Sequence, residues 1–349
     1  MREGTRRELV IGRWMQRVWY ERAAGGFVLI PLSWLFRALV ALRRALYRAG
    51  LFRSHAVGRP VIVIGNLTVG GTGKTPLTLW LAQQLHARGL QVGVAMRGYG
   101  SERTEPRLAS VASTPQEVGD EPALIARREV ATVAVGHDRV AVARLLVESG
   151  CDVILADDGL QHLRLARDAE IVVIDGARGF GNGRLLPAGP LREPVERCDA
   201  ADVRVVNGAG SPVSDAVRMS LRMGEARSLA GGAGRPVSSF AATRVHAVAG
   251  IGHPARFFAA LREQGLDPIE HPLPDHAVLR RQDVTFEDAL PVLMTEKDAV
   301  KCAPFADGRH WYVPVTAAFD AGDEARLMGA IEARLRAHAA RARGAAPKG

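Results

Sequence analysis

Short apolar runs, mostly β-branched, alternate with helically patterned stretches along the middle of the chain. Val61–Ile64, Val92–Met96, Ala131–Val135, Val153–Ala156, Ile171–Ile174 and Val203–Val206 are short and almost wholly apolar. Runs of that kind suit strands buried on both sides. Leu77–Arg88 and Arg139–Ser149 lie between some of them with helical spacing. The pattern predicts an α/β fold, a mainly parallel sheet covered by helices on both faces. Around Asn207–Pro236 the chain turns rich in Gly, Ala and Ser, which reads as a domain boundary. A second βα pattern follows in Val245–Ala249, Phe257–Gly265, Val292–Met294 and Trp311–Val315, with a closing helix near Ala325–Arg341. The expected organisation is an N-terminal segment over residues 1–55, a first α/β domain over 56–207 and a linker region over 208–244. A smaller C-terminal α/β domain with its closing helix then fills 245–349.

The N-terminal segment has a pattern of its own. Phe27–Phe36 is uncharged and almost wholly apolar, and from Trp34 to Phe52 apolar residues recur at helical spacing. The uncharged run falls short of the roughly 20 residues needed to span a bilayer. Charge sharpens the picture. The first 60 residues hold twelve Arg, no Lys and three Glu, a net of +9, which equals the net charge of the whole chain. The remainder is balanced. A basic amphipathic helix bearing Trp and Phe reads as an interfacial anchor on an anionic membrane surface; a core helix packed on the first domain is the alternative. Because the excess charge is confined to this segment, nucleic acid is not an expected partner. Three scattered cysteines without paired spacing suggest a reducing compartment and no disulfide framework or zinc site.

Candidate chemistry begins after the first apolar run. Thr68-Val69-Gly70-Gly71-Thr72-Gly73-Lys74-Thr75 stands between strand and helix, as a phosphate-binding loop does. Its glycines let backbone N–H groups curl around a phosphate at a helix N-terminus. Lys74 can reach the β- and γ-phosphates, and the Thr75 hydroxyl can hold Mg²⁺. The common pattern has Gly where this chain has Thr68. Asp157-Asp158-Gly159 ends the Val153–Ala156 run, where a carboxylate serves the metal directly or through water. The carboxylates of Val118-Gly119-Asp120-Glu121-Pro122 suit a surface helix cap or a catalytic base. Residues 178–194 form a long glycine- and arginine-rich loop, a type usually functional in compact domains. His276, in the turn Pro274-Asp275-His276, reads by itself as a solvated surface group.

The strings GNLTVGGTGKTP (65–76), RGYG (97–100), VGDEP (118–122), DDGLQH (157–162), RGFGNGRLLPAGPLREP (178–194), AGIGHPARFF (249–258), PDH (274–276) and TEKDAVKC (295–302) together resemble the tetraacyldisaccharide 4'-kinase family of lipid A biosynthesis. They cover roughly residues 20–315 in the family's order, and Thr68 matches that family. The resemblance implies transfer of the ATP γ-phosphoryl group, with Mg²⁺, to the 4'-hydroxyl of a tetraacylated diglucosamine 1-phosphate, giving lipid IVA. It implies a P-loop domain and a smaller α/β domain on a two-stranded linker, working at the cytoplasmic face of the bacterial inner membrane with an N-terminal anchoring helix. No protein partner is indicated.

Phosphoryl-transfer chemistry then distributes roles. Lys74 and the amides of Gly70, Gly71, Thr72 and Gly73 neutralise phosphate charge; Thr75 and the Asp157/Asp158 pair position the metal. A positioned base helps a sugar hydroxyl attack by roughly 10²–10⁴-fold. By the resemblance Asp120 is that base and His276 pairs with it from the second domain. Arg192 and Glu193 shape the nucleotide or acceptor side, and His162 lies near the paired aspartates. A membrane-associated switch ATPase is the other class to weigh, but the signature lysine such proteins carry early in the loop is replaced by Val69. A GTPase reading of Thr295-Glu296-Lys297-Asp298 fails because the residue two places after Lys297 is Ala299.

Overall fold

The computed structural model describes residues 14–21, 26–101, 104–210 and 213–344. The remainder of the basic N-terminal segment, residues 1–13 and 22–25, lies outside the described residues. Two sheets organise the rest. The larger has nine strands in the order β14-β8-β7-β6-β1-β5-β2-β4-β3. Its members are β1 (Val61–Gly65), β2 (Val92–Met96), β3 (Arg107–Ala109), β4 (Thr132–Val135), β5 (Val153–Asp157), β6 (Ala169–Asp175), β7 (Val203–Asn207), β8 (Val217–Met223) and β14 (Val315–Ala318). Every pairing between β4 and β8 is parallel; only the outermost pairs, β3 with β4 and β14 with β8, are antiparallel.

The apolar runs become central strands because both faces are covered. Helix α2 (Lys74–His86) lays Leu77, Leu81 and Leu85 against Ile62, Ile64, Val94 and Leu155. Helix α5 (Arg139–Glu148) lays Val142, Ala143 and Leu146 against Val63 and Ile154 on the opposite face. All are essentially inaccessible to solvent, and each such aliphatic side chain contributes about 1.5–3 kcal/mol by leaving water. Asp138 caps α5, its Oδ1 accepting from the Val140 and Ala141 amides at 2.9 and 3.3 Å. Between β3 and β4 lie α3 (Pro115–Val118) and α4 (Asp120–Arg127).

The smaller sheet has the order β11-β10-β12-β13-β9, formed by β9 (Arg227–Ser228), β10 (Val245–Ala249), β11 (Pro268–Pro272), β12 (Val292–Thr295) and β13 (His310–Val313). Helices α6 (Pro254–Glu263) and α7 (Glu296–Cys302) follow β10 and β12. The expected division at residues 208 and 245 does not survive in detail. β8, inside the expected linker, belongs to the large sheet, and so does β14. The closing helix α8 (Ala321–Gly344) also returns there, burying Leu327, Met328 and Ile331 in the core that holds Ile62 and Leu77. The two crossings between sheets run side by side, with the Gly224 amide bonded to the Pro314 carbonyl at 2.8 Å.

Helix α1 (Ile30–Arg48) lies outside these layers. Leu32, Leu35, Leu39 and Leu42 form an outward stripe, each more than half exposed, and Trp34 is 69% exposed. Ser33 and Phe36 face the body instead, Ser33 Oγ donating to the Leu185 carbonyl at 2.8 Å. With little of its apolar surface buried, α1 is not a core helix. The continuous helical segment Gly26–Arg48, at 23 residues, is longer than the uncharged run and is long and apolar enough to cross a membrane, although Arg37, Arg43, Arg44 and Arg48 punctuate it.

Candidate active site

β1 delivers the phosphate loop into a cavity of about 1360 Å³ lined by residues of both sheets. Gly70 and Gly73 adopt φ of +97° and +96°, the left-handed region that glycine enters without penalty. At Gly73 a Cβ would also stand 2.5 Å from Asn207 Nδ2. Asn207, at the end of β7, donates to the Thr72 carbonyl at 3.0 Å. Asn66 closes the other side, donating to the Gly70 carbonyl at 3.2 Å and accepting from Lys74 Nζ at 3.3 Å. Lys74 Nζ also lies 3.5 Å from Asp158 Oδ1.

The two consecutive aspartates at the end of β5 differ. Asp157 is 3% exposed; its Oδ1 accepts the Asp158 amide at 2.8 Å, and its Oδ2 is buried without a partner. Burial, then Glu121 nearby, pushes its carboxyl up to about 7. Burial acts upward on Asp158 too, but Lys74 and Arg192 overcome it and bring that carboxyl down to about 2. Arg192 Nη1 sits 3.0 Å from both Asp158 oxygens. An orphaned anionic oxygen beside the phosphate loop is the donor a divalent cation takes, with Thr75 on the same rim. Among the described residues no group of three His, Cys, Asp or Glu could hold a metal ion. His162 lines the cavity as a neutral ring, burial and then Arg139 bringing it down to about 4.

Asp120 opens α4 immediately after Gly119, whose φ of +93° and contact with the Tyr99 carbonyl leave no room for a side chain. From the smaller sheet comes His276, at φ +58°, with Nδ1 3.3 Å from Asp120 Oδ2. Two lysines four residues apart on α7 complete the cluster. Lys301 Nζ is 3.2 Å from Asp120 Oδ2, and Lys297 Nζ is 3.2 Å from His276 Nε2 and 2.9 Å from Asp275 Oδ1. An ammonium only donates, so His276 Nε2 accepts and Nδ1 carries the proton toward Asp120. Burial raises the Asp120 carboxyl, yet His276, Lys301 and Lys297 together outweigh it and leave it below the usual range.

A second contact between the sheets lies at the loop itself. Asp175, at the end of β6 and 1% exposed, holds Arg178 Nε at 3.1 Å and Arg256 Nη2 of α6 at 2.7 Å. Arg178 in turn donates to the Gly71 carbonyl.

The cavity therefore joins Lys74, Thr75, Gly70–Gly73, Asp157, Asp158, His162, Arg192, Asp120 and His276. Thr68 and Glu193 stand apart from its lining. Thr68 is buried in a bridge to Leu191. Glu193 is buried behind Arg192, accepting from Gln161 Nε2 at 3.0 Å. Sequence reasoning missed Asn66, Arg139, Asp175, Arg178, Asn207, Arg256, Lys297 and Lys301. The spacing of the two lysines on one helical turn was the available signal, as was Asp175, which ends its strand as Asp157 ends β5.

A family model described as tetraacyldisaccharide-1-P 4'-kinase matches residues 26–336. A relative named tetraacyldisaccharide 4'-kinase in Nitrosococcus oceani is 46% identical over 318 residues, covering 90% of this chain and 94% of the relative. One of the same name in Stenotrophomonas maltophilia is 48% identical over 308 residues, covering 86% and 91%. The solved "apo" form of LpxK from Aquifex aeolicus in complex with ATP superposes with a TM-score of 0.76 at 26% identity, over 89% of this chain and 99% of that one.

Proposed function

The chain belongs to the tetraacyldisaccharide-1-P 4'-kinase family, and from that premise we propose how its residues divide the reaction. It is a lipid kinase that uses ATP to phosphorylate the 4'-hydroxyl of tetraacyldisaccharide 1-phosphate, forming lipid IVA in lipid A synthesis. The observation that carries the assignment of roles is the meeting of Asp120 and His276, from different sheets, across the cavity from the phosphate loop.

Gly70–Gly73 and Lys74 receive the β- and γ-phosphates. Lys74 is already paired with Asp158, so phosphate entry exchanges one anionic partner for another. Asp157 and Thr75 are suited to hold magnesium, which when bound with ATP offsets charge on the bridging and transferring oxygens. The carboxyl of Asp120, held ionised by its cations, accepts the acceptor hydroxyl's proton. Both of its close contacts fall on Oδ2, leaving Oδ1 for the acceptor. His276 fixes that orientation by donating from Nδ1, and Lys297 fixes the tautomer. Such an arrangement is complete only when the two sheets approach, so Asp175 with Arg178 and Arg256 serves as the clasp at the other end of the cleft.

The outward apolar stripe and arginines of α1 support docking at the cytoplasmic face of the inner membrane, where ATP is supplied and a tetraacylated acceptor is embedded. The deciding experiment incubates purified protein with Mg-ATP labelled at the γ position and tetraacyldisaccharide 1-phosphate. Label is expected in a bisphosphorylated lipid. Label released only as inorganic phosphate, with or without acceptor, would reject the reading.

A further inference from the structure

Helix α1 touches the body through few polar groups, and one of them leads directly to the phosphate loop. Arg44 Nη1 lies 3.5 Å from Glu193 Oε2, the carboxylate being 6% exposed at its side chain. Glu193 Oε1 accepts from Gln161 Nε2 at 3.0 Å, and Gln161 Oε1 faces Arg192 Nη1 at 3.4 Å. Arg192 grips both oxygens of Asp158, which pairs with Lys74. An unbroken line of charged and amide groups thus runs from the helix with the exposed apolar stripe to the lysine that meets ATP. Arg197 Nε also lies 3.6 Å from Glu193 Oε2, so the carboxylate remains paired without Arg44; what Arg44 adds is the link to α1.

We propose that Arg44 is a positioning residue that couples membrane docking of α1 to nucleotide binding, through Glu193, Gln161 and Arg192. This rests on the lipid-kinase reading above and concerns regulation of the same site. Physically, α1 has most of its apolar surface in water, and among the described residues Ser33, Phe36 and Arg44 contact the body while Arg43 reaches the cavity rim. Seating its outer stripe in a bilayer restricts the helix, and Arg44 passes that restriction to the buried carboxylate. Glu193 then holds Gln161, and Gln161 holds Arg192 in the geometry that keeps Asp158 placed beside Lys74. Coupling between two binding events is reciprocal: if membrane tightens nucleotide, nucleotide tightens membrane by the same factor.

The test measures affinity for a nonhydrolysable ATP analogue with Mg²⁺, with and without vesicles of equal parts phosphatidylglycerol and phosphatidylcholine, and no lipid acceptor. Wild type should bind the analogue about two- to fivefold more tightly on vesicles, the upper part of the range expected of one partly exposed ion pair. The same factor should appear in vesicle affinity when analogue is added. Arg44→Gln should still bind vesicles through the other arginines and the apolar stripe, but lose the gain. Arg44→Lys should retain most of it, since a charge can still reach Glu193. A wild type indifferent to vesicles, or an Arg44→Gln variant with the full gain, overturns the coupling. Because no acceptor is present, that failure is separate from a failure to phosphorylate lipid, which would strike the reading of the site instead.

Discussion

Replacing Asp157 with Asn should stabilise the nucleotide-free protein while destroying its activity, and the stabilisation should depend on pH. Asp157 is 3% exposed with one oxygen unpartnered, and its carboxyl rises from 3.8 to about 7. Holding it ionised in the folded chain therefore costs about 4 kcal/mol relative to the unfolded one. Asn keeps an acceptor for the Asp158 amide and removes the charge, but brings an amide N–H₂ that is itself poorly satisfied, at about 1–2 kcal/mol. The net gain should be about 2–3 kcal/mol at pH 8, or roughly 3–4 °C in melting temperature for a chain of this size. Proton counting gives the sign. Between about 4 and 7 the folded state holds a proton that the unfolded state has released, so wild-type stability falls as pH rises through that window. The Asp157→Asn variant has no group titrating at that position, and its advantage should vanish near pH 5. Thermal denaturation of both proteins at pH 5 and pH 8, without nucleotide, reads this directly. Mg-ATP should then raise the melting temperature of wild type more than that of the variant, since only wild type offers the carboxylate. Equal stability at pH 8, or an advantage unchanged at pH 5, would refute the account of Asp157.

Three further outcomes follow from the same geometry. Lys301→Met removes a cation 3.2 Å from Asp120 and should raise the pKa of that base, moving the acid limb of the kcat/KM profile to higher pH; a limb that stays put would mean Lys301 does not tune Asp120. Asp120→Ala and His276→Ala should each slow single-turnover transfer by roughly 10²–10⁴-fold with Mg-ATP affinity nearly intact, and the double variant should be scarcely slower than the worse single, because members of one unit act non-additively; losses that multiply would dissolve the pair. Removal of residues 1–50 should weaken binding to anionic vesicles, and full-length binding should fall as salt rises, since arginine attraction is screened over about 10 Å at 0.1 M; vesicle binding by the truncated protein equal to full length would place the anchor elsewhere.

The central strands were legible because each carries a nearly continuous apolar run, the mark of a sheet covered twice. β8 and β14 were not, and the reason is physical. β8 reads Val-Arg-Met-Ser-Leu-Arg-Met, with alternating burial near one edge of the sheet, so it looks like part of the polar, glycine-rich stretch around it. Losing β8 hid the return of β14 and α8 to the first sheet. Within the site, contiguous chemistry was legible and pairing was not. The phosphate loop is one string, whereas Asp120 and His276 are brought together by two sheets, and neither residue alone declares a partner. Only resemblance joined them. The Asp175–Arg256 contact, 81 residues apart in sequence, had no such help.

What the sequence pattern could not show is the charge balance that these pairings create. Strand order places β1 between β6 and β5, so Asp175 and the Asp157/Asp158 pair flank the phosphate loop at adjacent strand ends. Three carboxylates beside a triphosphate site would repel the ligand if all were free. They are not. Arg178 and Arg256 occupy Asp175, Lys74 and Arg192 occupy Asp158, and Asp157 is held partly protonated near neutral pH by burial. Nucleotide without metal would take Lys74 from Asp158 and leave that carboxylate facing phosphate with only Arg192 beside it. A divalent cation arriving with the nucleotide would displace the proton of Asp157 and match the charges. The same residues that quiet these carboxylates would therefore favour the metal-bound nucleotide over the free one.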